Sequence, residues 1–143
     1  MKQMSRNDRD DIVIEIDPVR HLPGMSVADI LNRLAILCRA ANDTWWRDPK
    51  TQEPIKRNKG ELLALIHSEI SECLEGERKN LKDDHLPHRP MAEVELADAL
   101  IRILDYAGEF GYDLGGAFVE KMAYNAERKD HKPKNRIDGG KQF

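Results

Sequence analysis

Residues 65–77 read LIHSEISECLEGE, with an acid at every third place, Glu69, Glu72 and Glu75, among Leu65, Ile66, Ile70, Cys73 and Leu74. Apolar residues at that spacing define a helix of about 100° per residue. Its apolar arc takes in Leu62, Leu63, Leu65, Ile66, Ile70, Cys73 and Leu74, while Glu61, Ser68 and Glu75 lie on the solvated side. Glu69 falls inside the arc and Glu72 at its rim. An unpaired carboxylate is among the costliest groups to bury. Either the two acids snorkel or pair with a basic neighbour, or a cation is held between them and something else.

Working outward, three more helices are expected. SVADILNRLAILCRAAN begins at Ser26, with Asp29 three residues on as a capping-box variant. The acid-bearing helix starts near Asn58, with Glu61 in the capping-box position, and runs to about Glu77. MAEVELADALIRILDYAGEF follows Pro90, which suits a first helical turn, and is rich in strong helix formers. Asp113 can cap LGGAFVEKMAYNAER. NDTWWRDPKTQEPIKR and RKNLKDDHLPHRP read as loops by composition. The expected architecture is an all-α, four-helix-bundle-like domain over 25–132. A charged N-terminal arm over 1–24 contains the strand-like alternation Ile12–Ile16, and a polar tail covers 133–143.

Composition narrows the function. A chain of 143 residues suits one domain with a real core. Charged residues make up 34%, above the usual quarter or so, yet the net charge is only -3, which argues against a nucleic-acid polymer or a membrane surface as partner. The N-terminus has no signal-peptide pattern, and no run approaches the roughly 18 apolar residues of a spanning helix. Cys38 and Cys73 both sit in apolar helical patterns, as small core residues of a reducing compartment, so the expected location is cytoplasmic.

The helix after Pro90 carries a feature that answers Glu69 and Glu72. Leu96, Leu100, Ile103, Leu104 and Ala107 share one side, and Glu95, Asp98, Arg102 and Asp105 form a narrow stripe on the other. Alone, that stripe is a solvent-facing row bridged by Arg102. Set antiparallel to the preceding helix, it brings Glu95 and Asp98 opposite Glu69 and Glu72, four oxygen donors around one small volume. Two Mg²⁺ ions would balance their formal charge, and Mg²⁺ takes oxygen ligands completed by water and phosphate. A di-iron site would want Glu-x-x-His, and none of the five histidines follows a Glu by three.

EISE at 69–72, followed after 22 residues by ELAD at 95–98, resembles the ExxE…ExxD signature of the MazG-like all-α nucleoside triphosphate pyrophosphohydrolases. GELLALIHSEISECLEG, EVELADALIRILDYA and EKMAYNAER are similar to compact members common in bacteriophages, and the likeness covers about residues 31–132. The resemblance implies hydrolysis of a nucleoside triphosphate to the monophosphate and pyrophosphate, dependent on Mg²⁺ or Mn²⁺, by a dimer or tetramer with its site near a subunit interface. Glu69, Glu72, Glu95 and Asp98 would be the metal ligands. Many members read EExxE, and Ser68 stands at the first of those positions, so a general base there is in doubt. A water activated by the cation would serve without it. Likeness to the phage-type members favours a purine such as dGTP or GTP. A dUTPase is the alternative substrate reading, and a non-catalytic helical partner-binding oligomer the alternative class.

The phosphates need positive charge. Lys121, Asn125 and Arg128 align on one helix face, either as phosphate ligands or as a basic helix end favoured by the dipole. The family's Lys…Asn pattern matches Lys121 and Asn125. Lys56, Arg57, Asn58 and Lys59 are further candidates or a solvated run. Trp45 and Trp46 can stack on a base or plug the bundle end, and His85 and His88 can cover a pocket or stay solvated.

Overall fold

The computed structural model describes residues 24–128, and all four expected helices are present. α1 spans Val27–Ala41, and Ser26 and Asp29 close the full reciprocal capping box. α2 spans Lys59–Lys79; Asn58 caps it by accepting from the Gly60 and Glu61 amides. Asn80 ends it in the left-handed conformation at φ 51°, a position Asn tolerates better than most residues. α3 spans Met91–Glu109 directly after Pro90, and α4 spans Leu114–Glu127 under the Asp113 cap. Apart from Gly24, the arm expected over 1–24 lies outside the described residues, as does the tail over 133–143. The expected loop after α1 contains a 3₁₀ turn, Asp43–Trp46.

α3 is the centre of the arrangement. It packs against α2 on one side and α1 on the other, and α4 packs on α1. The α1–α3 seam holds the buried Ala35, Leu104 and Ala107, with Leu34, Cys38 and Leu114 packed against them. Cys38 and Cys73 are free, half-buried thiols, in keeping with small core residues. The crossings are close because they are built on glycine. A Cβ on Gly108 would stand 2.5 Å from the Ala35 carbonyl oxygen, and one on Gly115 would stand 2.1 Å from that of Ala28. Asn32 ties the second crossing, donating to Asp113 Oδ1 at 2.7 Å and accepting from the Gly115 amide at 2.8 Å.

The aliphatic sides of α2 and α3 depart from expectation. Leu63, Ile70 and Leu74 on α2, and Leu96, Leu100 and Ile103 on α3, are all exposed. The buried positions are instead Leu62, Glu69 and Gly76 on α2, facing Ala92, Glu95 and Ala99 on α3. The physical reason is size: alanine and glycine let two helix axes approach, and bulky side chains at the same seam would hold them apart. The acid stripe, far from being a solvent-facing row, has Glu95 and Asp105 buried. No helix among the described residues is long and apolar enough to cross a membrane.

Candidate functional site

The close α2–α3 seam brings three of the four expected acids together. One carboxylate oxygen each from Glu69, Glu95 and Asp98 can be chosen so that all three lie within 4.8 Å of one another, a spacing that suits a shared cation. Glu69 and Glu95 are buried and Asp98 is exposed, so the cluster opens to one side. Glu72 is exposed and lies outside this triad, yet its charge acts on Glu95. Hard cations prefer oxygen donors of this kind, and an open side leaves room for waters and phosphate.

The electrostatics register the crowding. Burial, then the Glu72 charge, a hydrogen bond with Glu69 and the charges of Glu69 and Asp98 push the Glu95 carboxyl up to about 7. Asp98 is also raised, chiefly by burial and by Glu69, with Asp83 adding to the effect and Arg102 and His85 opposing it. Among the described residues the direct counter-charge is Arg102, whose Nε donates to Glu69 Oε1 at 2.5 Å. The pairing of Glu69 with a basic neighbour is therefore present alongside the triad, not instead of it. Arg102 reaches across the helix seam to α2 instead of bridging acids on its own helix.

Beside the triad a cleft of about 410 Å³ runs along α3. Asp98, Ile101, Arg102 and Asp105 of α3 line it in sequence along the helix, together with Leu65 of α2 and with Asn42, Trp45 and Arg57. The adjacent tryptophans have opposite fates. Trp45 is 71% exposed and faces the cleft, whereas Trp46 is buried, packs edge-on to Phe110 and donates Nε1–H to both oxygens of Asp105 at 3.2 Å. Trp46 is thus the plug and Trp45 the available ring. Arg57 is the one member of the run 56–59 that lines the cleft, and Asn58 serves as the α2 cap.

The α4 residues are elsewhere. None of Lys121, Asn125 and Arg128 lines the cleft, and α4 packs chiefly on α1. Lys121 lies over the Tyr124 ring at 4.6 Å, and Asn125 Oδ1 is shielded with no hydrogen-bond partner among the described residues. His85 and His88 are exposed in the α2–α3 connection, where Asp83 is buried and accepts from the amides of His85 at 2.9 Å and Leu86 at 2.6 Å. Sequence reasoning missed the roles of Asp105 and Asp83. The available signal for Asp105 was its place two turns from Asp98 on the same stripe. Compared with known proteins, the chain matches no family model, no curated protein and no solved structure.

Proposed function

We propose that this chain is a nucleoside triphosphate pyrophosphohydrolase that uses Mg²⁺ or Mn²⁺. The observation that carries the reading is the convergence of Glu69, Glu95 and Asp98 beside a cleft of nucleotide-sized volume that Asp98 helps to line. The residues fit a hard divalent cation: the donors are all carboxylate oxygens, and they crowd enough negative charge to hold a proton at Glu95 near neutrality. Such a cation supplies Lewis-acid activation of water and neutralises triphosphate charge.

The chain's own residues do the remaining work. Glu69, Glu95 and Asp98 hold the cation, with Glu72 at the edge of the cluster as a fourth ligand or a field-setting charge. Arg102 fixes Glu69 and presents the rest of its guanidinium to phosphate oxygens. Trp45 offers a stacking face for the base. The unpaired apolar faces of α2 and α3 favour a homo-oligomer, a dimer or tetramer, in which α4 of another copy would bring Lys121, Asn125 and Arg128 to the phosphates. The preferred substrate is a purine deoxynucleotide such as dGTP.

The deciding experiment is a panel of ribo- and deoxynucleoside triphosphates with Mg²⁺ or Mn²⁺, scored for monophosphate and pyrophosphate. Turnover of at least one, abolished by chelator, is expected. A result with dUTP far ahead would mark a dUTPase. No turnover with either metal would leave the helical partner-binding module as the better reading.

A further inference from the structure

The end of the cleft away from the triad holds a buried carboxylate without a salt-bridge partner. Asp105 is 7% exposed and lines the cleft, and no cation among the described residues lies within ion-pair distance of it. Trp46 Nε1–H is shared between its two oxygens. A carboxylate has about four acceptor sites, so lone pairs remain for the cleft. Burial raises the Asp105 carboxyl, while Trp46, Arg39 and Arg57 oppose the rise and favour the ionised form.

Position supplies the second argument. Asp105 stands seven residues beyond Asp98 on the same stripe of α3. At 1.5 Å per residue that is about 10 Å along the helix, the reach of a nucleotide from its phosphates to the far edge of its base. Trp45 stands exposed beside this end, and Arg57 lines it.

We propose that Asp105 is a specificity-determining residue that reads guanine, accepting N1–H and N2–H of the base while Trp45 stacks on the ring and Arg57 faces O6. The inference rests on the nucleotide-hydrolysing reading above for its ligand class. Among the common bases, guanine alone presents two adjacent donors on its pairing edge, matching the two oxygens of a carboxylate. Adenine and cytosine each set an acceptor beside their amino group. Uracil and thymine flank one N–H with carbonyl oxygens that a carboxylate repels. A site whose buried acceptor pair keeps lone pairs for the base rejects bases that leave them unmatched.

The test is calorimetric binding of deoxynucleoside monophosphates to the full chain in chelator, which removes the metal and the chemistry. The wild type should bind dGMP about tenfold or more tighter than dAMP, dCMP or dTMP. It should also bind dGMP about tenfold tighter than deoxyinosine monophosphate, which lacks only the 2-amino group. Asp105→Asn should lose dGMP preference and gain deoxyxanthosine monophosphate, whose N1–H and C2 carbonyl match an amide. The inosine comparison needs no variant, so it decides the matter even if Asp105→Asn does not fold. Equal affinity for dGMP and its inosine analogue, or for all four common bases, overturns the proposal. Guanine selectivity without metal-dependent hydrolysis would sink the enzyme reading alone, and hydrolysis indifferent to the base would sink this inference alone.

Discussion

Arg102 on α3 donates its Nε–H to Glu69 Oε1 on α2 at 2.5 Å, joining the two helices at the point where Glu95 and Asp98 also converge. Without it, the three crowded carboxylates would have no direct counter-charge among the described residues. Arg102→Met should therefore weaken the metal-free protein, by about 1–3 kcal/mol given that the arginine is partly exposed. The same change should raise divalent-cation affinity, because a competing positive charge is gone. Urea unfolding in chelator and Mn²⁺ titration of the folded variant check the two halves separately. A variant as stable as wild type and with unchanged affinity would contradict the role.

The Glu95 carboxyl gives the seam a defined pH dependence. Its folded value of about 7 lies above the ordinary 4.5, so between those values the folded chain keeps a proton the unfolded chain has lost. Stability of the metal-free protein should fall as pH rises through that window, and the contribution should level off above it. The raised Asp98 acts in the same direction. On the proposed function Mg²⁺ would compete with that proton, so its affinity should climb with pH through about 7. Melting curves at pH 5, 6, 7 and 8, with chelator and with Mg²⁺, should converge at low pH and separate at high pH.

Glycine at the two α1 crossings is a packing requirement. Gly115→Ala would drive a methyl to 2.1 Å from the Ala28 carbonyl oxygen, and Gly108→Ala one to 2.5 Å from that of Ala35. Each should cost about 1–3 kcal/mol or more, since the neighbours are backbone atoms that cannot swing aside. Gly115→Ala should loosen α4 first, visible as faster amide exchange there than in α3. Equal stability of either variant and wild type would refute the close approach.

How much of this was legible in sequence follows from the range of each interaction. Ser26 with Asp29, Asn58 with Gly60, and Asp113 with Gly116 are local, so caps and helix limits could be read within a residue or two. The Glu69, Glu95 and Asp98 cluster was legible because i, i+3 spacing on consecutive helices converts directly into facing carboxylates. Trp46 and Asp105 are 59 residues apart, and nothing local distinguishes Trp46 from its neighbour Trp45. A 3₁₀ turn sends the two in different directions. That the aliphatic residues of α2 and α3 would stay largely exposed was not legible for a related reason. Aliphatic clustering marks where apolar surface is, whereas Ala92, Ala99 and Gly76 mark where two helices can come close, and the second criterion won.

Catalytic roles should follow position around the triad. Glu95→Gln and Asp98→Asn should each lower metal-dependent hydrolysis by about 100-fold or more, because each would remove a proposed cation ligand without changing shape. Glu72→Gln should cost less, since its carboxylate lies outside the triad. Glu75→Gln should leave the rate unchanged, because Glu75 pairs with Lys79 on α2. Steady-state rates at saturating Mg²⁺, with circular dichroism to confirm folding, give the ranking.

The most direct measurement of the central claim is phosphorus-31 NMR of dGTP incubated with Mg²⁺ and either the wild type or Asp98→Asn. The account predicts dGMP and pyrophosphate from the wild type, none in chelator, and almost none from the variant. Orthophosphate with dGDP, or undiminished pyrophosphate release by Asp98→Asn, would contradict it.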